Sequence, residues 1–170
     1  LAQTQHKLPC VTKTSLENST ADLKEDEQNI YAKGEDFSYV FSKHYGVFTS
    51  IIIDGAEQLA GRMTLSAFRA PTDNDRNIVN RWAKVNIWQG ENLDCQFSKI
   101  YDCRIDDGAI IVEGSLAGVS RVPFFRYTQK IIVSKQGKIS FELCGNVRED
   151  TFFLPRLGFE MELPESNNKF

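Results

Sequence analysis

Three dipeptides ending in glycine, Asp54-Gly55, Asp107-Gly108 and Gln136-Gly137, each interrupt a stretch rich in β-branched and aromatic residues. This recurrence constrains the fold more than any other feature of the chain. Aspartate or asparagine before glycine tolerates the positive φ of a tight hairpin turn, and the flanking residues favour pleated, half-buried surfaces. Val47 to Ile53 runs into the first turn. Lys99 to Ile105 meets Ala109 to Leu116 across the second, and Phe124 to Val133 meets Ile139 to Val147 across the third. Phe37, Tyr39 and Phe41 alternate with Ser38, Val40 and Ser42, a period of two that turns one face inward. Lys43 to Gly46 makes the turn between that strand and Val47, and a last strand is expected from about Leu157 to Leu163. Hairpins at near-regular spacing predict an all-β fold, a large antiparallel sandwich.

Only one segment reads as helix. Between Asn77 and Gln89, the residues Ile78, Trp82 and Val85 fall on one face of a 3.6-residue repeat, with Asp73, Asn74 or Asp75 available as caps. Towards the N-terminus the grammar differs. Ala2 to Leu8 reads as a short strand stopped by Pro9, and residues 10–28 are dominated by Thr, Ser, Glu, Asp, Asn and Lys, the chemistry of a linker. The expected organisation is therefore a terminal strand of a preceding domain (1–9), a linker (10–28) and the start of a second domain (29–170). A first residue other than Met fits a piece of a longer polypeptide.

Composition excludes several functions. The 170 residues are 41% hydrophobic and 25% charged, with 20 basic against 23 acidic side chains and a net charge of -3. That balance lacks the basic stripe of a phosphate-binding protein, so nucleic acid is not an expected partner. No apolar run approaches the roughly 20 residues that span a bilayer, so neither is a membrane. The four cysteines Cys10, Cys95, Cys103 and Cys144 lack paired metal-ligand spacing, and we expect free, mostly buried thiols in a reducing cytoplasm.

The densest polar stretch is Phe68 to Asn77, which places two Arg, two Asp and two Asn around Pro71. Asp73, Asp75 and Asn77 alternate like the opening of a calcium loop. The pattern then fails, because Ile78 stands where the turn needs Gly and Lys84 where a bidentate Glu is needed. No metal site is expected there, and internal salt bridges with helix capping are the simpler account.

Arg69-Ala70-Pro71-Thr72-Asp73-Asn74-Asp75, followed by the helix around Trp82, resembles the opening signature of the C-terminal domain of family 2 β-galactosidases. Leu154 to Pro164, with Pro155, Arg156 and Gly158, is similar to a second motif strand of that family, and Ala2 to Pro9 looks like the last strand of its preceding immunoglobulin-like domain. The resemblance implies a large antiparallel supersandwich related to galactose mutarotase. It implies a parent enzyme, oligomeric and cytoplasmic, that hydrolyses terminal β-galactosides with retention. The two catalytic glutamates would lie in a separate barrel domain of the same enzyme, the expected partner of this piece. Arg76, Asn77 and a few residues beyond inherit a mobile position bordering the substrate pocket. No cofactor is implied within this chain, and any magnesium or sodium of the parent belongs elsewhere. Two departures stand out. Many relatives carry Gly where Asn77 stands, and the chain ends at Phe170, before the segment that supplies an aromatic residue to the sugar pocket.

No residue here is assigned a catalytic role. Retaining glycosidases hold two carboxyl groups about 5 Å apart. Glu142, Glu160 and Glu162 lie on expected strands, where alternating acids normally mark a solvated face. Trp82 is expected in the core and His44 in a turn. Three other readings fit the same residues. One is a stand-alone carbohydrate-binding module. Another is a mutarotase-like enzyme, disfavoured because only His6 and His44 could serve it. The third is a galactosidase whose small subunit is a separate polypeptide.

Overall fold

The computed structural model describes residues 20–70, 72–75, 91–149 and 154–165 of the chain. Among the described residues eleven strands are formed: β1 (Leu23–Glu25), β2 (Asn29–Lys33), β3 (Phe37–Ser42), β4 (Val47–Ile53), β5 (Ala56–Glu57), β6 (Thr64–Ser66), β7 (Gln96–Asp106), β8 (Ala109–Gly118), β9 (Phe125–Val133), β10 (Ile139–Val147) and β11 (Gly158–Glu160). They make a five-stranded sheet in the order β1 to β5, a four-stranded sheet ordered β10-β9-β8-β7, and a two-stranded ladder of β11 with β6. Every ladder is antiparallel. Among the described residues the only helical elements are two short 3-10 turns, Asp73–Asp75 and Leu93–Cys95. The expected helix from Asn77 to Gln89 lies outside the described residues, as does the expected strand from Ala2 to Leu8.

The hairpins form where the turn chemistry places them. Asp54 and Gly55 have φ of 51° and 76°, and Asp107 and Gly108 have 46° and 69°. Two consecutive residues at positive φ match the right-handed twist of the flanking strands. At the third turn Gly137 alone adopts positive φ, 81°, in a longer loop closed by a bond from the Ser134 amide to the Lys138 carbonyl.

Two bulges explain where the hydrophobic alternation slips. In β7 the ladder with β8 shifts between Ile100 and Asp102, leaving Tyr101 as the extra residue. Phe97, Lys99 and Tyr101 face solvent before it, and Asp102, Arg104 and Asp106 after it. Ile100, Cys103 and Ile105 therefore all turn to the core despite their uneven spacing. A second shift, beside Val40 and Phe41, puts Phe48 opposite Phe41 and Ile51 opposite Tyr39.

The two large sheets face each other across one core. Phe41, Phe48 and Phe124 are completely buried, each worth about 1.5–3 kcal/mol of transfer free energy. Phe41 and Phe48 meet edge to face with ring centres 5.1 Å apart, and the Tyr39 hydroxyl crosses between the sheets to donate to the Gly137 carbonyl at 2.8 Å. Phe141 on β10 spans to Phe48 at 6.1 Å and to Phe159 on β11 at 5.2 Å.

Two expectations need correction. The stretch read as linker up to residue 28 contains β1, which pairs with β2 from Leu23 opposite Ala32 to Glu25 opposite Ile30. The Ala21 amide also bonds the Val133 carbonyl at 2.8 Å. An edge strand exposed on one side and at its rim needs few apolar residues, so its composition matches that of a linker. The last strand is also shorter than expected, covering Gly158–Glu160 rather than extending to Leu163.

Candidate functional site

Strand β6 brings the two recognisable motifs together. On one side it pairs with β11, Ser66 opposite Gly158 and Thr64 opposite Glu160. At its C-terminal end it runs through Ala67 and Phe68 into Arg69. The junction is pinned to the four-stranded sheet by Gln96, whose carboxamide oxygen accepts from the Ala67 amide at 3.0 Å and whose nitrogen donates to Ser66 Oγ at 2.8 Å. Pro155, Arg156 and Gly158 thus stand beside the strand that leads to Arg69, although the sequence separates them widely. Arg156 closes an ion pair with Glu160 at 3.0 Å.

Beyond β6 the Arg69 motif folds on itself. The Arg69 guanidinium grips the Asp75 carboxylate with two bonds, 2.7 and 3.1 Å. Thr72 donates its amide and hydroxyl to the same carboxylate at 2.6 and 2.8 Å, and the Asp75 amide returns a bond to the Thr72 carbonyl. Asp75 is buried, at 5% exposure. The Arg69 bonds, helped by Thr72, hold its carboxyl well below the usual carboxylate range. Asp73 and Asn74 complete the 3-10 turn between Thr72 and Asp75. Four hydrogen bonds on one carboxylate make this a rigid clasp rather than a ligand site, since the oxygens face their own loop.

Residues 76–90 lie outside the described residues, and with them Arg76, Asn77 and Trp82; Pro71 does too. The points where that stretch leaves and rejoins the described chain are both held by ion pairs. The departing end is the Asp75 clasp. At the returning end Glu91 accepts from Arg148 at 2.6 Å, with side chains 14% and 28% exposed, and Arg148 also donates to the Val122 and Pro123 carbonyls. The Glu91 backbone rests directly on Gly118: a Cβ there would come within 1.8 Å of the Glu91 carbonyl oxygen. Asn92 follows at φ 53° and donates to the Val119 carbonyl at 3.0 Å. Gln96, Glu91, Gly118 and Arg148 were invisible as site residues in the sequence. Their partners come from strands brought together only by folding, and no local motif announces them.

The carboxylates considered for catalysis are dispersed. Glu142 is exposed on β10 opposite Lys130, Glu160 is paired with Arg156, and Glu162 is exposed beside Gly61. His44 occupies the turn between β3 and β4, exposed and edge-on to Tyr45. Of the cysteines, Cys95, Cys103 and Cys144 are free. The expectation that they are mostly buried fails for two of them, because Cys95 and Cys144 are exposed. Cys103 faces the core, and burial pushes its thiol up to about 11. Among the described residues no three His, Cys, Asp or Glu side chains gather as a metal site, and no helix is long and apolar enough to cross a membrane.

Fold and site together define an antiparallel all-β domain in which arginine–carboxylate clasps hold Asp75 and Glu91, the described residues on either side of 76–90. Residues 33–170 match the family model described as β-galactosidase small chain, and the chain belongs to that family. Similar curated proteins are the β-galactosidases of Actinobacillus pleuropneumoniae, 27% identical over 160 residues, and of Photobacterium profundum, 26% identical over 137. A third, from Psychromonas ingrahamii, is 23% identical over 169 residues. The matches cover 92%, 70% and 89% of this chain but 15%, 12% and 16% of those proteins, so the chain spans about one-seventh of their length.

Proposed function

We propose that this chain is a non-catalytic β-sandwich domain of a β-galactosidase, a retaining glycoside hydrolase whose acid–base and nucleophile carboxylates lie in a barrel domain elsewhere in the polypeptide. In this reading the sandwich is a supersandwich of the galactose mutarotase type, and it buttresses the barrel. Arg76, Asn77 and the residues just beyond border the galactoside pocket. The parent assembles as an oligomer and works in the cytoplasm, with which the free thiols of Cys95, Cys103 and Cys144 agree.

The observation that carries this reading is the convergence at β6. Both motif stretches meet there, and Asp75, the last described residue before 76–90, is gripped by the Arg69 guanidinium. Binding groups concentrate on loops launched from rigid scaffolds. A pocket-bordering loop contributes by positioning substrate rather than by bond chemistry, so its loss should be partial. In the full-length parent, Arg76→Ala and Asn77→Gly are expected to change kcat/KM for a chromogenic β-galactoside by about 2- to 10-fold, roughly 0.4–1.4 kcal/mol of transition-state stabilisation. Unaltered kcat and KM in both variants would remove the bordering role.

A further inference from the structure

A cleft of about 520 Å³ lies along the edge of the four-stranded sheet and outside the motif clasp. One wall is a run of consecutive β7 residues, Gln96 to Ile100, and the other is the run Arg62 to Leu65, which enters β6. Side chains of a strand alternate between its faces, so a wall built from consecutive residues presents the strand's backbone edge. β7 is the edge strand of its sheet and pairs only with β8 among the described strands. Alternate N–H and C=O groups along such an edge point away from the partner and can take a further strand. At one end the Gln96 carboxamide bridges the two walls through Ala67 and Ser66, which fixes the gap between them.

The charged side chains that line this slot are cationic, although the Glu162 carboxylate stands close by, beside Gly61. The slot's lining includes Arg62 and Lys99 but no carboxylate. Arg69, Arg104, Arg148 and Arg156 pair with Asp or Glu, whereas Arg126 lies over the Tyr101 ring, 5.9 Å from its centre. Arg62 lies over the Tyr45 ring, 4.1 Å from its centre, and Lys99 sits 5.7 Å from the Tyr101 ring. A guanidinium stacked on an aromatic face keeps its N–H edge free to fork onto a carboxylate. In a chain with more acids than bases, a strand slot lined by cations and by no described carboxylate selects its occupant by sign.

We propose that the edge of β7 left unpaired among the described strands receives an extended, acidic segment of about five residues, roughly 16 Å at strand rise, from a part of the parent polypeptide outside these 170 residues. The segment adds as a strand to β7 and places carboxylates against Arg62 and Lys99. This proposal rests on the reading of the chain as one domain of a longer enzyme.

The test uses the intact parent. A carbodiimide, which activates a carboxylate so that a lysine amine already in contact with it forms an amide and the urea leaves, is expected to link Lys99 to an Asp or Glu outside residues 1–170. The link should vanish in Lys99→Gln and weaken in Arg62→Glu, which sets a like charge against the incoming acid. Hydrogen exchange should show slowed amides between Phe97 and Ile100. Fast exchange there, a link only to carboxylates within the 170 residues, or a link only to a second copy in isotope-mixed protein each overturns the proposal. The two readings fail separately. An active galactosidase with an unprotected β7 edge sinks this inference alone, and an inactive parent with the edge protected and linked sinks only the assignment of activity.

Discussion

The two arginine–carboxylate clasps bounding residues 76–90 do similar work by different means. The Arg69–Asp75 clasp is local: both partners and Thr72 lie within one short stretch, so loop and clasp form together. The Arg148–Glu91 clasp joins residues 57 positions apart and exists only once β8, β9 and β10 have assembled. The first turns a few residues into a rigid launch point with little help from the core. The second makes the return point a reporter of the whole sandwich, supported beneath by the bare Cα of Gly118. A chain stretch held this way has one end set by its own sequence and the other by the tertiary fold.

The comparison can be broken most sharply at Gly118. A methyl there must displace the Glu91 backbone, so Gly118→Ala is expected to cost about 3 kcal/mol or more, seen as a lowered denaturation midpoint. Gly55→Ala is the control at the same level of chemistry: nothing lies within 4 Å of its Cβ, so only the positive φ is penalised, by about 1–2 kcal/mol. Equal effects at the two glycines would show that Glu91 moves freely and that the return point is not fixed.

Arg148→Met should come next, at about 2–3 kcal/mol, because it strands a largely buried Glu91 and two carbonyls. Proteolysis should then cut near Glu91 more readily while the Asp75 end stays resistant. Loss of resistance at both ends together would mean that the clasps act as one unit.

The last comparison is a matter of pH. The folded Asp75 carboxyl is held below its unfolded value, so its contribution is fully present above about pH 4, where the unfolded carboxylate is ionised, and drains away as pH falls further. Acid denaturation of Asp75→Asn, compared with the unsubstituted protein, is expected to show a shallower loss below about pH 4. Identical acid profiles would indicate that Asp75 titrates normally.

Much of the framework was legible because its signals are short-range. Asp-Gly pairs at two turns predicted the positive φ that they adopt, and the alternation from Phe37 to Phe41 predicted the inward face of β3. The motif at Arg69 also announced an internal salt bridge. Other features were hidden for stated reasons. β1 resembled a linker because a three-residue edge strand buries little, and the Tyr101 bulge blurred the period of β7. The carboxylate expectation, that Glu142, Glu160 and Glu162 mark solvated faces, agrees with the exposure of all three.

By itself, then, the sequence determined what depends on neighbours along the chain: hairpin positions, strand faces, the Arg69–Asp75 loop and membership of a recognisable family. Tertiary structure alone decided which strands became edges, that β11 would lie beside β6, that Gln96 would bridge two sheets, and that Glu91 would rest on Gly118 beneath Arg148. The physical reason is range. Backbone φ preferences and side-chain alternation act over a few residues. Ladder hydrogen bonds, close backbone approach and ion pairs between distant segments arise only when hydrophobic burial has already brought the sheets together.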